Sequence, residues 1–357
     1  MSKILLTGGG TAGHATPNIA LIPALKKDGH DIIYIGTKAG IERELVEKTG
    51  IKYYPISAGK LRRYFSLKNF SDIFRILKGY SEARSIIKAE SPDVVFSKGG
   101  FVTVPVVYAA NAKKIPVVVH ESDITPGLAN KLCFPKAQRV CVSFESTKKN
   151  INGDKCIITG LPVRGELFNG SRIRGLELLG FSGKKPLLLI IGGSLGAQAI
   201  NEAVDASLSE LTELFDIAHI RGKGKTNPAL DKTAGYRQFE YVSDELCDIM
   251  TAADIVLSRA GANVIFELLA LQNPMLLVPL PLESSRGDQI LNAQYFEKKN
   301  FARILNQSEI TAEHLINALK TLISDSEAIK QSMRQSDIKD GTKNVINVIY
   351  SVLEKNK

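Results

Sequence analysis

Ten short apolar runs alternate with helical patterns along the chain, and that rhythm leaves few folds open. In the first half the runs are Ile4–Thr7, Asp31–Gly36, Asp93–Ser97, Val117–His120 and Arg139–Ser143. In the second they are Leu187–Ile191, Phe215–His219, Phe239–Val242, Ile255–Ser258 and Met275–Val278. Most are continuous in Val, Ile and Leu rather than alternating, as parallel strands covered on both faces require. Helical spacing fills the intervals, for example at Asn263–Leu271 and Gln289–Lys299. The fold class this predicts is α/β, with doubly wound parallel sheets.

The rhythm restarts midway. Thr159–Arg164 (TGLPVR) runs into a loop rich in Gly, Arg and Ser, and Lys184–Gly196 then begins a new strand, glycine loop and helix. A length of 357 residues suits two such domains. The linker is expected around Leu161–Val163, giving domains 1–162 and 163–340. A last helix, Asn344–Glu354, follows a polar break and could pack on either domain. No stretch reaches the roughly 20 apolar residues of a membrane span. The opening MSKILLTGGG reads as a strand rather than a signal peptide, so a soluble or peripheral protein of the cytoplasm is expected. Cys133, Cys141, Cys156 and Cys247 show no C-x-x-C pairing and are expected to be reduced thiols, with no zinc site. The net charge of +9 is uneven: 24 Lys+Arg face 13 Asp+Glu up to Pro162, a balance of +11, against −2 for the remainder. The N-terminal half is therefore expected to meet something anionic: nucleic acid, a phosphorylated substrate or acidic lipid.

Two glycine loops carry the chemistry. Gly8–His14 (GGGTAGH) directly follows the first strand, and Gly192–Ala197 (GGSLGA) follows the first strand of the second half. Glycines let the backbone turn tightly and approach a ligand, and the helix that follows offers free N–H groups and a positive dipole end. Gly8, Gly10 and Gly13 match G-x-G-x-x-G, but the second strand ends in Gly36-Thr37-Lys38 without the acid that a dinucleotide ribose wants. A phosphate or sugar role is therefore preferred, with both loops facing one cleft if the domains oppose each other. Ser194 and adjacent amides could grip a pyrophosphate. In Ser258–Glu267, Glu267 could hold ribose hydroxyls or be a solvated helix acid. Gln289 and Asn292 share a helix face suited to a sugar. His120–Asp123 (HESD) lacks partners for a metal site.

The stretch Lys60–Tyr80 holds six basic residues and one acid, Asp72. Phe70, Phe74 and Leu77 fall at helical spacing, with Ile73 and Tyr80 widening the stripe. Such a stripe can pack into the core. Beside Arg62, Arg63, Lys68, Arg75 and Lys78 it also suits an anionic bilayer, and nucleic acid is a competing reading that no surrounding nucleic-acid fold supports.

Taken together, GGGTAGH, HESDITPGLANK, TGLPVR, GGSLGAQAIN, SRAGANVIFE and DQILNA resemble the MurG family of glycosyltransferases, in order and over essentially the whole chain. The resemblance implies a GT-B fold, two Rossmann-like domains separated by a deep cleft, with a helix at about 341–357 returning to the N-terminal domain. It implies an acceptor-binding, membrane-associated domain 1–162 and a donor-binding domain 163–340. The activity implied is inverting transfer of N-acetylglucosamine from UDP-GlcNAc to the muramoyl 4-hydroxyl of undecaprenyl-pyrophosphoryl-MurNAc-pentapeptide (lipid I), making lipid II through a β-1,4 bond. The expected partners are UDP-GlcNAc, lipid I and an anionic cytoplasmic membrane surface where the protein sits peripherally, with no nucleic acid, cofactor or metal. Such an enzyme would serve cell-wall synthesis, and through it cell shape and division.

By motif match, Thr11, Ala12 and Gly13 line the sugar and pyrophosphate region, and Arg164 and Ser194 contact the donor. Val242 stands where the family's backbone recognises uracil. Glu267 matches the ribose carboxylate, and Gln289 and Asn292 match sugar contacts. Attack by a hydroxyl needs a base and departing UDP needs charge stabilisation. His14, at the end of the first glycine loop, is the expected base. Ser194, Arg164 and the helix N-terminus after Gly192–Gly196 are expected to take the leaving-group charge. Ala12 replaces a glycine usual in the family, Phe101 replaces a Tyr, and Asp123 stands where some members place a sugar-contacting Asn.

Overall fold

The computed structural model describes residues 1–59, 68–151, 153–193 and 196–355. The chain divides into two compact units, Met1–Arg164 with Asp340–Lys357, and Gly165–Lys339.

The first unit is built on a parallel sheet of β1 (Lys3–Thr7), β2 (Asp31–Thr37), β3 (Lys52–Ile56), β4 (Val94–Ser97), β5 (Val117–Glu121), β6 (Arg139–Val142) and β7 (Cys156–Ile158). Their order is β3-β2-β1-β4-β5-β6-β7. The strand order reverses between β1 and β4, whose register sets Thr7 beside Ser97. The second unit holds β8 (Leu187–Ile191), β9 (Asp216–Ile220), β10 (Tyr236–Phe239), β11 (Ile255–Ser258), β12 (Met275–Leu277) and β13 (Ala302–Ile304). Their order is β10-β9-β8-β11-β12-β13, reversing between β8 and β11, where Ile191 pairs with Ser258. Both sheets are parallel throughout, because helices cross over each face and bury the central strands on both sides.

Helix and strand placement follows the apolar pattern at the sheet centres. The runs at Leu187–Ile191 and Ile255–Ser258 are strands with those bounds, and the helix expected at Asn263–Leu271 runs Ala262–Leu271. The expected strand Phe239–Val242 is displaced: β10 spans Tyr236–Phe239, and Val242 lies in the loop beyond. Three strands escaped the pattern altogether, β3 (KYYPI), β7 (CII) and β13 (ARI). These three and β10 are edge strands with one neighbour, so their burial, and hence their apolar signature, is weaker.

The helix Thr342–Glu354 packs into the core of the first unit. Its Val345, Ile346, Val348, Ile349, Val352 and Leu353 are buried against Ile4, Leu6, Val118 and Cys141. Each is worth about 1.5–3 kcal/mol of burial. The start of this helix is laced to the segment leaving β7: Gly341 N donates to Leu161 O at 2.9 Å, Thr342 Oγ1 to Val163 O at 3.2 Å, and Asn344 Nδ2 to Thr159 O at 3.1 Å. Leu161 and Val163 are buried, so this stretch is a fixed strap at the helix start. Cys133, Cys141 and Cys156 are buried free thiols. No helix among the described residues is long and apolar enough to cross a membrane.

Ile349→Ala should cost the first unit about 2–5 kcal/mol, because the cavity sits under a sheet that cannot collapse onto it. Chemical denaturation followed by hydrogen exchange should show the loss in the first unit's strands, with β8 and β11 protected as before. Equal loss of protection in both units would mean that the helix does not belong to one core alone.

Candidate active site

In the first unit the loops after β1 and β4 meet where the strand order reverses, the place where such sheets bind ligands. Gly9 N donates to Gly99 O at 3.3 Å, and Lys98 N to Thr7 O at 2.9 Å. Gly99 and Gly100 have φ of +102° and +89°, which only glycine adopts at little cost. Tyr34, fully buried on β2, donates its hydroxyl to Gly8 O at 2.9 Å and accepts from Asn18 Nδ2 at 3.0 Å. Burial pushes the Tyr34 hydroxyl far above its ordinary range, so it remains a donor to the loop.

The loop delivers Thr11 to the N-cap of the helix Ala12–Lys27 and His14 to its first turn. The Thr11 hydroxyl lies 2.7 Å from His14 Nδ1 instead of capping the backbone. When Nδ1–H donates to that hydroxyl, the Nε2 lone pair is the basic one. A methyl on Gly99 would stand 3.3 Å from His14 Cδ2 and 3.1 Å from Asn130 Oδ1, so the imidazole lies over the second glycine turn. His14 and Ala12 are half-buried, and Thr11 and Gly13 are exposed.

The HESD turn beside these loops is occupied with its own scaffolding. His120 Nε2–H donates to Gly160 O at 2.9 Å, and burial followed by the nearby Lys98 charge holds this imidazole well below the usual histidine range. Glu121 accepts from Asp123 N and Gly127 N, both at 3.0 Å, and from Asn130 Nδ2 at 2.9 Å. Lys98, fully buried, donates to Ser122 Oγ; burial pulls its ammonium down to about 8 against the attraction of Glu121 and Asp123. Among the described residues no three His, Cys, Asp or Glu side chains are grouped to hold a metal.

In the second unit the loop after β8 turns through Gly193 (φ +85°) and Gly196 (φ +68°) into the helix Gln198–Leu214. A side chain at Gly196 would strike the Arg221 backbone, and Arg221 is itself held in a closed ring. Its guanidinium donates to the Tyr236 hydroxyl at 3.1 Å, Tyr236 to His219 Nδ1 at 2.9 Å, and His219 Nε2–H to Asn201 Oδ1 at 3.0 Å. Asn201 Nδ2 returns a bond to Arg221 O at 3.1 Å. Asp205 clamps the guanidinium at 2.6 and 2.8 Å.

Of the residues expected in the donor region, Glu267 lies on the helix Ala262–Leu271 and is 8% exposed, so it is not a solvated surface acid. Gln289 Oε1 accepts from Leu280 N at 3.1 Å, pinning the Pro279–Pro281 loop. Asn292 is fully buried and its amide donates to Ala260 O at 3.3 Å, steadying the loop after β11. Val242 is buried, Arg164 and Asp123 are half-buried, and Ser194 lies outside the described residues.

Arg62 and Arg63 also lie outside the described residues, as does the Phe70 side chain. The rest of the stripe settles one alternative. On the helix Lys68–Glu90, Phe74 and Leu77 are 70% and 61% exposed, with Arg75 and Lys78 exposed beside them, while Ala83 and Ile87 face the core. The core alternative for Phe74 and Leu77 is therefore excluded: the helix turns a smaller-residue face inward. Glu42 and Lys98 carry no local signal in the sequence, and Asn130 is one polar residue within HESDITPGLANK. Glu42 reads there as an ordinary acid at a helix start, and only its distant partners distinguish it.

Two all-parallel sheets, each with a glycine loop where its strand order reverses, carry the nucleotide-binding architecture twice. The model for the glycosyltransferase family 28 N-terminal domain matches residues 4–142, and that for its C-terminal domain matches residues 187–348. The chain is 56% identical over 98% of its length, and 99% of the relative's, to the UDP-N-acetylglucosamine–N-acetylmuramyl-(pentapeptide) pyrophosphoryl-undecaprenol N-acetylglucosamine transferase of Clostridium botulinum strain Langeland. It is 53% identical to the transferase of the same name from Clostridium tetani, over 97% of each chain. The crystal structure of Acinetobacter baumannii MurG superposes with a TM-score of 0.77 at 26% identity, covering 98% of this chain and 100% of that one. A UDP-N-acetylglucosamine 2-epimerase shares the fold at a TM-score of 0.69 and 14% identity, over 99% and 95% of the two chains. This is a glycosyltransferase of the GT-B fold class. The chain belongs to glycosyltransferase family 28, and within it to the MurG transferases.

The ring in the second unit predicts an acid response. Burial, reinforced by the Arg221 charge, holds His219 down at about 3, far below its unfolded value of 6.5. The stability this gives is complete above pH 6.5 and is lost as pH falls from there toward 3, since the unfolded chain takes the proton first. Urea midpoints between pH 7 and 4 should fall less steeply in His219→Gln than in the natural protein. Parallel slopes would show that His219 is not held neutral.

Proposed function

We propose that the protein transfers N-acetylglucosamine from UDP-GlcNAc to the 4-hydroxyl of the muramoyl sugar in undecaprenyl-pyrophosphoryl-MurNAc-pentapeptide, yielding lipid II for the cell wall. The observation that carries the reading is identity across nearly the whole chain with transferases named for that reaction. The first unit, Met1–Arg164 with the returning helix, takes the acceptor, and the second, Gly165–Lys339, takes the donor.

The chemistry is a single displacement with inversion. The acceptor oxygen bonds to the anomeric carbon as the bond from that carbon to the β-phosphate oxygen breaks, and the hydroxyl proton passes to His14 Nε2. Thr11 serves this step by accepting from Nδ1–H, which fixes the tautomer and the ring plane. UDP leaves with the bond electrons, and its charge falls to Arg164, Ser194 and the N–H groups opening the helix Gln198–Leu214. Glu267 holds the ribose hydroxyls, Val242 the uracil through its backbone, and Gln289 the sugar side, with Asn292 serving that side from beneath through the Ala260 carbonyl and Asp123 a weaker sugar contact. Thr11, Ala12 and Gly13 line the sugar and pyrophosphate region. No residue in this scheme asks for a metal or a cofactor.

Phe74, Leu77, Arg75 and Lys78 form an exposed apolar and basic face on the helix Lys68–Glu90. Phe70, Arg62 and Arg63 belong to the same stretch of sequence. That face supports peripheral attachment to the anionic cytoplasmic side of the cell membrane, where a lipid-linked acceptor lies. Supply of lipid II would tie the enzyme to cell shape and division.

Purified protein given labelled UDP-GlcNAc and a short-chain lipid I analogue should place label in the lipid product, with or without a chelator. Sugar isomerisation without acceptor would move the chain to the epimerases. In that assay His14→Ala should lower kcat by about 10²–10⁴-fold, the usual worth of a general base, while UDP binding changes less than about twofold. Unchanged turnover would remove His14 from the mechanism. Replacing both Phe74 and Leu77 with Ser should reduce co-sedimentation with phosphatidylglycerol vesicles, and high salt should reduce it further. Binding indifferent to salt and to the double substitution would place the membrane contact elsewhere.

A further inference from the structure

Glu42 has no exposed surface, although it is an acid in the first turn of the short helix Ile41–Glu47. Its carboxylate is filled by donors from the loop after β1 and from the end of β2. Gly10 N donates to Oε2 at 3.2 Å, while Thr37 N and Thr37 Oγ1 donate to Oε1 at 3.0 and 2.5 Å. A buried carboxylate is retained only where such donors satisfy its oxygens. The glycines around it are shaped to the same group: a methyl at Gly9 or at Gly40 would collide with the carboxylate. One side chain therefore joins the loop after β1 to the end of β2.

The loop so held is the one that carries Thr11 and His14. Gly9 is fastened on its other side by Gly99 O, and Gly8 by the Tyr34 hydroxyl. Gly10 is the last residue before Thr11, and Glu42 tethers its N–H. It has a φ of +90°, a conformation that glycine adopts at little cost, so the loop turns here between Gly9 and Thr11. Gly10, Thr37 and Gly40 also line a cavity of about 450 Å³ with Lys38, Arg75 and Phe101, so the carboxylate fixes part of that cavity's wall as well.

We infer that Glu42 is a positioning residue for the transfer reaction: by holding Gly10 N–H it fixes the direction in which Thr11 and His14 leave the glycine loop. The inference rests on the reading of His14 as the base. Glu42 touches neither substrate in this scheme. It acts through the loop, and its effect belongs to turnover rather than to donor binding.

The test is Glu42→Gln, which keeps the shape but replaces one acceptor oxygen with a donor. Whichever way the amide turns, one of the two backbone N–H groups, Gly10 or Thr37, faces an NH₂ group. The expected result is a fall in kcat of about tenfold or more, with UDP-GlcNAc KM and UDP affinity changed less than about twofold. Thr37→Val removes the hydroxyl donor at constant size and leaves Gly10 alone. It should give the same signature at about threefold, and it decides the matter if Glu42→Gln does not fold. Unchanged kcat in the folded variants, with the natural protein active, overturns the role of Glu42 and leaves the transferase reading intact. A fall in kcat matched by an equal loss of UDP affinity also overturns it, since the damage is then general. A natural protein that transfers no sugar to the lipid I analogue overturns the transferase reading, and this inference with it.

Discussion

Parallel pairing between strands buried on both faces is the constraint from which the rest of the structure follows. A parallel neighbour cannot be reached by a tight turn, so each connection crosses a face of the sheet, usually as a helix, and the sheet becomes covered. The same direction of travel puts every strand-to-helix loop at the carboxyl edge. Where the winding reverses, between β1 and β4 and between β8 and β11, two such loops are left side by side with no crossover above them. The glycine loops stand at those two places. Their location is a consequence of strand order, and any chemistry the chain performs is confined to the ends of a few strands.

The two units hold their loops by different means. In the first, the loop is gripped by single buried side chains reaching from β2 and from the helix after it: the Tyr34 hydroxyl on Gly8 and the Glu42 carboxylate on Gly10. In the second, support comes through a ring that runs from the Arg221 guanidinium by way of Tyr236, His219 and Asn201 back to the Arg221 carbonyl. A ring of that kind has one consistent sense of donation, so it also dictates the tautomer of His219. Both arrangements bury polar groups that are costly unless fully satisfied, and both thereby narrow the positions the loop can adopt.

What could be read from the sequence divides along the same physical line. Central strands announced themselves, because burial on both faces demands uninterrupted apolar residues, and the glycine loops did so because close backbone approach demands glycine. Edge strands did not: β3 carries Lys52 and Pro55, β13 carries Arg303, and β10 has Arg237 and Gln238 in place of an apolar core run. Phe74 and Leu77 left two readings open for a related reason. Periodicity shows that residues share a helix face but not which face meets the sheet, and here Gly79, Ala83 and Ile87 meet it. The supporting residues were invisible for want of local signal. Nothing near Glu42 or Lys98 in sequence distinguishes them from surface charges, since Gly10 and Ser122, which they hold, come from distant loops.

The helix Thr342–Glu354 supplies one wall of the first unit's core, yet it follows the entire second unit in sequence. On the ribosome, the first sheet emerges early and must wait for this helix over Val118 and Cys141 while some 175 residues of the second unit are made. The order of completion is thus the reverse of the order of synthesis: the later unit can close on its own residues, and the earlier one closes last. A nascent chain of this design spends most of its translation with an apolar sheet face open to chaperones or to the wrong partner. The final helix is what ends that exposure.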